Sequence, residues 1–377
     1  MNHDYIRKPI YMFLSLINCI VPKKKKIFIY GGDFLEDNSE AMLHYISKET
    51  HMKTVCVVNK VRKYNPKSHI KFKKNTYINA IIEMLTCTVM LDSSYHTIKM
   101  KPTQNQLFIQ LWHGSPLKKL PPSSYISNGK YYSMFYYASD MFKEHLKYTF
   151  DVSDEQMVLC GHPRNDYLLF NNRRPDFLST NVKNVIWLPT YRHGNGRSES
   201  DIDFPVLDSS NVNELNCLLK KLGIKLYIKP HRLQSKSINT VLESCEDSNI
   251  IVISDEYLIR KGIVLYQLLS HMDALLTDYS SVYFDYLLLD RPIGFVITDF
   301  DIYGDNRGFA FTDPLSLMPG IKIYDFDGLR EFFMDLSESN DGYVKNRMVV
   351  NDACNFYKDG LNCKRTLKII ENFMKGN

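Results

Sequence analysis

The sequence predicts an α/β protein made of two doubly wound domains, and three observations support this fold class. The 377 residues are too many for one ordinary core and suit two domains, at roughly 150 residues per domain. Short apolar runs alternate with amphipathic stretches, which is typical of parallel sheets covered by helices. A polar segment that ends in a proline, residues 171–175, interrupts the alternation and is the candidate linker.

The first series of elements forms the predicted N-terminal domain, residues 27–175. We expect its helices at residues 38–46, at 77–85 and from Asp140 onward. We expect its strands at residues 26–30, 54–58, 88–91, 107–111 and 131–138.

The second series forms the predicted C-terminal domain, residues 176–377. Its expected helices are residues 212–222 and 264–269, one from Ser281, and closing helices after residues 325 and 343. Its expected strands are residues 184–188, 225–228, 250–253, 274–277 and 292–296, the last being the final clear strand. Ligands on such sheets bind beyond the carboxyl ends of the strands, so the cleft between two facing domains is the expected site.

Residues 1–26 form a separate segment with two open interpretations. An apolar run at residues 10–21 is followed by Pro22 and four lysines, and only 14 residues separate Lys8 from Lys23. That length is too short to span a bilayer, and charge that follows the apolar run does not suit a signal peptide. The segment is either an interfacial anchor with its lysines on anionic lipid or a first helix packed on the core.

The composition excludes several classes of protein. Hydrophobic residues make up 44% and charged residues 24%, which excludes a disordered chain, a fibrous repeat and a multi-span membrane protein. The net charge of +5 is too weak to indicate nucleic acid as a partner. The eight cysteines contain no Cys-x-x-Cys pair, which favours a reduced cytosolic protein.

Two turns that follow apolar runs contain ionisable side chains. His113 follows one run directly, where it either takes a proton from a bound hydroxyl or is a core histidine bonded to backbone. Arg164, in Gly161-His-Pro-Arg-Asn-Asp166, either clamps a phosphate or pairs with an aspartate to stiffen its turn.

Polar side chains also follow three strands of the second series. Cationic groups suited to a diphosphate come after two of them: Arg192, Lys229, His231 and Arg232. Asp278 ends a third, and Ser280 and Ser281 open a helix whose N-terminus attracts phosphate, although plain capping is the alternative. No Walker A loop or GxGxxG follows the first strand. Asp299-Phe-Asp301 is a candidate metal motif, but the cationic residues already neutralise phosphate, so no metal is expected.

Five ordered motifs together resemble the CDP-glycerol glycerophosphotransferase family, which includes teichoic acid primases and polymerases and capsule or O-antigen homologues. The motifs are Trp112-His-Gly-Ser-Pro-Leu-Lys118, Gly161 to Asp166, Pro189-Thr-Tyr-Arg192, Lys229-Pro-His231 and Asp278-Tyr-Ser-Ser281. Residues 37–39, 290–292 and 307–309 match as well, so the resemblance covers about residues 27–340. Ser115 stands where the family usually has Thr, which preserves a hydroxyl.

The resemblance implies a GT-B-like fold of two Rossmann-like domains, with the donor on the C-terminal one and peripheral attachment to the inner face of the membrane through residues 6–26. It implies attack of an acceptor hydroxyl on the β-phosphorus of CDP-glycerol, with release of CMP and without a cofactor. His113 would be the general base, and His231 would stabilise charge at phosphorus. The donor side would comprise Thr190, Arg192, Lys229, Arg232, Asp278, Ser280 and Ser281. The acceptor side or domain boundary would comprise Trp112, Gly114, Ser115, Lys118, Arg164, Asp166 and Arg307.

The acceptor implied by the resemblance is a lipid-linked glycan or polyol-phosphate polymer. Two alternative activities remain at this point. One is transfer of ribitol phosphate from CDP-ribitol, since no motif reports on the polyol. The other is sugar transfer by a GT-B glycosyltransferase that uses a sugar nucleotide.

Overall fold

A computed structural model describes residues 3–35, 37–61, 67–94, 98–120, 122, 128–170, 173–190, 205–230 and 248–376. It divides into two compact units. The first unit contains residues 1–115, 120–170 and 354–377, and the second contains residues 116–119 and 171–353. The chain therefore enters the second unit briefly, directly after the turn that contains His113.

The first unit is built on a seven-stranded, wholly parallel sheet with the strand order β3-β2-β1-β4-β5-β6-β7. The strands are β1 (Lys24–Tyr30), β2 (Thr54–Val57), β3 (Ile70–Lys73), β4 (Cys87–Asp92), β5 (Leu107–Gln110), β6 (Met134–Tyr137) and β7 (Met157–Leu159). All six residues of β4 are buried, as expected of a central strand covered on both faces. The strand order reverses between β1 and β4, where ligands commonly bind such sheets.

Six helices belong to the first unit among the described residues. They are α1 (His3–Ile20), α2 (Asp37–Glu49), α3 (Tyr77–Thr86), α4 (Asp140–Phe150), α5 (Asp166–Leu169) and α13 (Asn362–Gly376). Phe28, Met90 and Phe108 from the sheet pack with Met84 of α3 in one apolar cluster. Thr76 and Ser139 cap α3 and α4, each accepting a backbone N–H with its hydroxyl.

The second unit has a six-stranded parallel sheet in the order β10-β9-β8-β11-β12-β13. Its strands are β8 (Lys183–Leu188), β9 (Ile224–Ile228), β10 (Ile250–Val252), β11 (Ala274–Thr277), β12 (Ile293–Val296) and β13 (Ile321–Ile323). Trp187, Leu226 and Leu276 lie in its core with Leu215 and Phe332 from the covering helices. The strand order reverses between β8 and β11, so the residues after these strands lie at the switch point.

The helices of the second unit follow the same alternation. They are α6 (Val212–Leu222), α7 (Asp255–Lys261), α8 (Leu265–Leu269), α9 (Val282–Tyr286), α10 (Phe300–Arg307), α11 (Phe326–Glu338) and α12 (Val344–Cys354). The α/β prediction with two doubly wound sheets is confirmed. The expectation that residues 292–296 form the last strand is wrong, because β13 follows.

The C-terminal boundary also differs from the sequence prediction, which assigned all of residues 176–377 to the second domain. The segment from Cys354 onward belongs to the first unit. The carboxylate of Asp166 accepts hydrogen bonds from the backbone N–H groups of Asn362 and Cys363, at 2.9 and 2.8 Å. Gly161 allows the close approach, since a Cβ there would lie 2.3 Å from Oδ1 of Asn362. These contacts hold the first turn of α13 against the first unit.

The N-terminal segment combines features of both interpretations. One face of α1 packs on the sheet through Tyr11, Leu14 and Asn18, which are buried. The other face exposes large apolar side chains: Ile10, Met12, Phe13, Leu16 and Ile20. No described helix is long and apolar enough to cross a membrane.

The lysine run after α1 is not a uniformly solvated stretch. Lys23 donates to the backbone oxygens of Asn18 and Leu85, at 2.7 and 2.8 Å. Lys26 pairs with the buried carboxylate of Glu83, and Lys25 donates to the carbonyl oxygen of Met374. The last three lysines of the run begin β1 instead of preceding it.

Candidate active site

His113 lies in a tight turn three residues beyond the end of β5. Its Nδ1 lies 3.3 Å from the carbonyl oxygen of Ser93, which follows β4. Its ring centroid is 3.7 Å from that of Trp112. Gly114 continues the turn with a φ of 138°, a value that side chains rarely adopt. The imidazole is therefore held by a hydrogen bond on one edge and an aromatic ring on one face.

Trp112 is fixed from several sides, although its own φ of 56° is unusual for a residue with a side chain. Its ring is buried against Phe135 and Phe150. Its backbone N–H donates to Oε1 of Gln110 at 2.9 Å, and its carbonyl oxygen accepts from Nδ2 of Asn38 at 2.5 Å. These contacts compensate the strained backbone of Trp112 and fix the position of the backbone from which His113 continues.

The pKa of His113 is lowered to about 4, mainly because the half-buried imidazole is desolvated and then because the positive charge of Arg164 is near. The carbonyl of Ser93 and the charge of Asp92 oppose this shift. His113 is therefore neutral at physiological pH, which is the state that a general base requires.

A second histidine lies beside the same turn. His162 is buried, and its Nε2 lies 3.5 Å from the hydroxyl of Ser115. Arg164 is buried as well; its backbone N–H donates to Oδ1 of Asn38 at 3.0 Å. Its guanidinium lies 4.0 Å from the carboxylate of Asp37. The arginine–aspartate pair considered for this turn is therefore formed with the first residue of α2 and not with an aspartate of the turn itself.

The sequence grouped Asp166 with the acceptor side or the domain boundary, but its carboxylate is engaged elsewhere. It accepts both backbone bonds from the start of α13 and a third hydrogen bond from Nδ2 of Asn362, at 2.8 Å. Burial raises the pKa of Asp166 to about 6, although these hydrogen bonds act in the opposite direction. Within the first unit it is a structural clamp.

In the second unit, Thr190 and Asp278 meet at the switch point. Oδ2 of Asp278 accepts the backbone N–H of Thr190 at 2.9 Å, which ties the loop after β8 to the end of β11. Thr277 supports the same junction, donating its hydroxyl to the carbonyl oxygen of Leu188 at 2.8 Å. The loop after β8 therefore starts from a fixed position.

Only part of the predicted cationic group can be located. Lys229 is largely buried, and its Nζ pairs with the carboxylate of Asp255 at 2.8 Å, in the first turn of α7. Arg192, His231 and Arg232 lie outside the described residues. Lys229 thus carries a charge that is already compensated, which the sequence pattern did not indicate.

The remaining predicted residues occupy varied positions. Ser280 and Ser281 are half-buried, and α9 begins at Val282. Within the described chain, the side chain of Ser281 makes no hydrogen bond that caps α9. The alternative that Ser281 only caps the helix is therefore wrong. Lys118 forms an antiparallel bridge with Phe309, next to the exposed Arg307. Asp299 accepts a hydrogen bond from the hydroxyl of Tyr279 at 3.0 Å. Among the described residues, no three carboxylate, histidine or cysteine side chains form a group that could hold a metal ion.

Sequence reasoning missed the residues that support His113. Asp92, Ser93 and Gln110 hold its turn, and none was singled out. Two adjacent apolar runs each end in a buried polar residue, Asp92 and Gln110. That shared ending is the signal that could have identified them.

Two doubly wound parallel sheets, with ionisable groups beyond the carboxyl ends of their strands, define a two-domain α/β protein of the kind that binds nucleotides. The fold is similar to that of the wall teichoic acid polymerase TagF, with a TM-score of 0.78 and 19% sequence identity. That similarity covers 99% of this chain and 95% of the TagF chain.

The chain belongs to the family of CDP-glycerol:poly(glycerophosphate) glycerophosphotransferases, which matches residues 11–372. It is 26% identical to the teichoic acid poly(glycerol phosphate) polymerase of Bacillus spizizenii over 345 residues, covering 82% of this chain and 84% of that protein. It is 24% identical to the teichoic acid ribitol-phosphate primase of the same organism over 391 residues, covering 97% and 95%. The family resemblance predicted from the five motifs is confirmed.

Proposed function

We propose that the protein transfers glycerol phosphate from CDP-glycerol to a hydroxyl of a membrane-linked glycan or polyol-phosphate acceptor and releases CMP, in the synthesis of a cell-surface polymer. The observation that carries this proposal is the neutral, half-buried and doubly held imidazole of His113 in a protein of this family. The first unit would bind the acceptor, and the second would bind the donor.

In this reaction His113 removes the proton from the acceptor hydroxyl as its oxygen attacks the β-phosphorus. A new P–O bond forms to the acceptor, and the bond between the β-phosphorus and the bridging oxygen breaks. The bridging oxygen keeps the electron pair and leaves as part of CMP. A pKa of about 4 keeps the imidazole of His113 unprotonated throughout the neutral range, so its lone pair is available to the acceptor hydroxyl.

The donor diphosphate needs positive charge and hydrogen-bond donors, because phosphoryl transfer depends on positioning and charge neutralisation. We assign this task to the second unit, where Asp278 fixes the start of the loop that leads to Arg192. Lys229, Ser280 and Ser281 lie beyond the ends of β9 and β11. His231 completes the assignment on the strength of the family motif alone, and Arg232 on its place among the cationic residues that follow β9 in the sequence.

Glycerol is the preferred polyol of the donor, and ribitol is the alternative. The family description and the Bacillus spizizenii polymerase refer to glycerol phosphate, whereas the related primase refers to ribitol phosphate. The cationic residues assigned to the diphosphate make a divalent ion unnecessary, so the reaction should proceed without metal.

CMP release from CDP-glycerol and from CDP-ribitol, measured in parallel with a bacterial membrane extract as acceptor source and with EDTA present, tests this proposal. We expect CMP from CDP-glycerol and little from CDP-ribitol. CMP from CDP-ribitol and little from CDP-glycerol would mean that the donor carries ribitol instead of glycerol. CMP from neither donor would refute the proposal and direct attention to sugar nucleotides.

We also propose peripheral attachment to the inner face of the membrane through α1. Its exposed apolar face would enter the headgroup region, at about 1.5–3 kcal/mol for each large side chain fully removed from water. A groove of about 1170 Å³ runs beside this face, and its cationic lining residues include Lys25, Lys101 and Lys130. These lysines would suit anionic lipid headgroups.

Co-sedimentation with vesicles tests this attachment. The protein should bind phosphatidylglycerol vesicles more strongly than phosphatidylcholine vesicles, and Phe13→Asp should abolish that binding. Val349→Asp, which changes an exposed apolar residue of α12 in the second unit, is the matched control and should bind as the unaltered protein does. Equal binding by Phe13→Asp and the control would refute the role of α1.

A further inference from the structure

Asp92 is a fully buried carboxylate at the carboxyl end of β4. Its Oδ2 accepts a hydrogen bond from the hydroxyl of Tyr132 at 2.8 Å and lies 3.4 Å from Nε2 of Gln110. Its Oδ1 accepts the backbone N–H of Ser94 at 3.1 Å. One side chain thus joins three separate segments of the first unit.

Gln110 transmits this arrangement to the turn that contains His113. Gln110 is the register partner of Asp92 on the neighbouring strand β5. Because the carboxylate of Asp92 accepts from the amide nitrogen of Gln110, the amide oxygen faces the backbone N–H of Trp112, at 2.9 Å. The amide nitrogen of Gln110 also lies 3.3 Å from the carbonyl oxygen of Ser94. The residue before His113 is therefore tied to the end of β4.

Ser93 completes the connection from the other side. Its carbonyl oxygen lies 3.3 Å from Nδ1 of His113, and its hydroxyl lies 2.6 Å from the hydroxyl of Ser39 in α2. A carbonyl oxygen only accepts hydrogen bonds, so Nδ1 carries the proton. In a neutral imidazole, Nε2 is then the basic nitrogen.

We propose that Asp92 is a positioning residue that acts through the Ser93–Ser94 turn and through Gln110 to hold His113 with its proton on Nδ1 and its lone pair on Nε2. Asp92 itself does not touch the substrate. This inference rests on the proposed role of His113 as the base toward the acceptor hydroxyl. It assigns the transferred proton to one ring nitrogen, Nε2.

Nitrogen NMR of the full chain labelled with ¹⁵N-histidine tests the assignment at neutral pH, with the signals of His113 identified by their loss in His113→Gln. We expect a protonated Nδ1 and an unprotonated Nε2. The two carboxylate oxygens of Asp92 accept from Tyr132, Gln110 and Ser94, whereas the side chain of Asn has only one oxygen. In Asp92→Asn, at least one of these donors therefore loses its acceptor in either orientation of the amide. We expect both tautomers of His113 in that variant.

Kinetics provide a second readout that a merely structural role would not move. We expect kcat for CMP release by Asp92→Asn to fall about 10- to 100-fold, by analogy with residues that orient metal-binding side chains without touching the metal. KM for CDP-glycerol should stay unchanged. Thr88→Val is the matched control, since it removes a hydrogen bond near the opposite end of the same strand, and it should leave the tautomer and kcat unchanged.

Two results would overturn the inference: a proton on Nε2 of His113 in the unaltered protein, or an unchanged tautomer and kcat in folded Asp92→Asn. If Asp92→Asn does not fold, Gln110→Met decides, because it removes the amide through which Asp92 acts on the turn; an unchanged tautomer in that variant would also overturn the inference. Failure of the proposed function is distinguishable, since NMR reports the tautomer even if neither CDP-polyol yields CMP.

Discussion

The two units present their ionisable groups in different ways. In the first unit, the backbone of Trp112, directly before His113, is fixed by hydrogen bonds to the buried side chains of Gln110 and Asn38. Partial burial and the charge of Arg164 keep the imidazole of His113 neutral. In the second unit, the charge of Lys229 is compensated by Asp255, and Asp278 accepts the backbone N–H of Thr190. On the proposed roles, the base would be held in place before any substrate binds, whereas a donor would have to draw Lys229 away from its carboxylate partner.

The largest expected effect comes from removing the base. His113→Ala should lower kcat for CMP release by about 10²- to 10⁴-fold, the usual contribution of general-base catalysis. The rate of CMP release under saturating CDP-glycerol measures it, and thermal unfolding checks that the variant remains folded. A rate close to that of the unaltered protein would mean that His113 is a core histidine and not the base. The first unit would then hold no prepared catalytic group to contrast with the second unit.

Changes at the Lys229–Asp255 pair should move KM for the donor in opposite directions. Lys229→Gln removes a charge-assisted contact to phosphate, so KM for CDP-glycerol should rise about 10- to 100-fold. Asp255→Asn removes the competing carboxylate and should lower KM by at most about fivefold, since partly exposed ion pairs contribute little. Glu256→Gln neutralises the next residue of α7 and should leave KM unchanged. An increase in KM for Asp255→Asn would mean that the pair itself positions the donor.

Asp166→Asn should destabilise the first unit by about 1–3 kcal/mol at neutral pH, because a buried N–H group at the start of α13 loses its acceptor. The folded-state pKa of Asp166, about 6, lies above its ordinary value of about 3.9. The stabilising contribution of its proton is therefore present below about pH 4 and is lost as the pH rises through about 6.

Urea unfolding between pH 4 and pH 7 checks both parts of this prediction. The decline in stability with rising pH that Asp166 causes should be absent in Asp166→Asn. The exposed Asp154→Asn, changed in the same way, should leave the urea midpoint nearly unaltered. If both variants behave alike, Asp166 does not clamp α13.

The smallest expected effect is on the pH profile. Because the base must be neutral, kcat/KM should stay level on the acid side until the pH approaches the pKa of His113, about 4. Arg164→Gln removes a positive charge that opposes the imidazolium form, so that pKa should rise, by up to about one unit. The acid limb should move upward by the same amount, while Lys147→Gln, a change in a surface ion pair, should not move it. An acid limb near pH 6.5 in the unaltered protein would contradict the lowered pKa of His113.

Most strands that the sequence predicted are central in their sheets, although the edge strand β10 was also predicted, from its apolar run Ile250–Val252. Central strands such as β4 and β11 are short runs of buried residues, and their apolar sequences predicted them. The missed strands, β3, β7 and β13, all lie at the edges of their sheets. β3 and β13 alternate apolar residues with lysine, and β7 has only three residues, so their patterns resemble loops.

The candidate site divides in a similar way. His113, Asp278 and Lys229 were predicted because an ionisable residue beyond an apolar run indicates a site at the end of a strand. Asp92 and Gln110 were missed because they end their strands as buried residues, and their role depends on register between strands far apart in the sequence. The pairing of Lys229 with Asp255 also depends on a helix that starts 26 residues later.

Simultaneous measurement of CMP release and of label transfer from CDP-[¹⁴C]glycerol tests the central claim most directly. The assay uses the full chain, a membrane extract as acceptor source, and EDTA. The account predicts one labelled glycerol phosphate in the lipid-linked or polymer fraction for each CMP released, with both signals lost together in His113→Ala. CMP accompanied by free glycerol phosphate, or transfer that survives in His113→Ala, would contradict it.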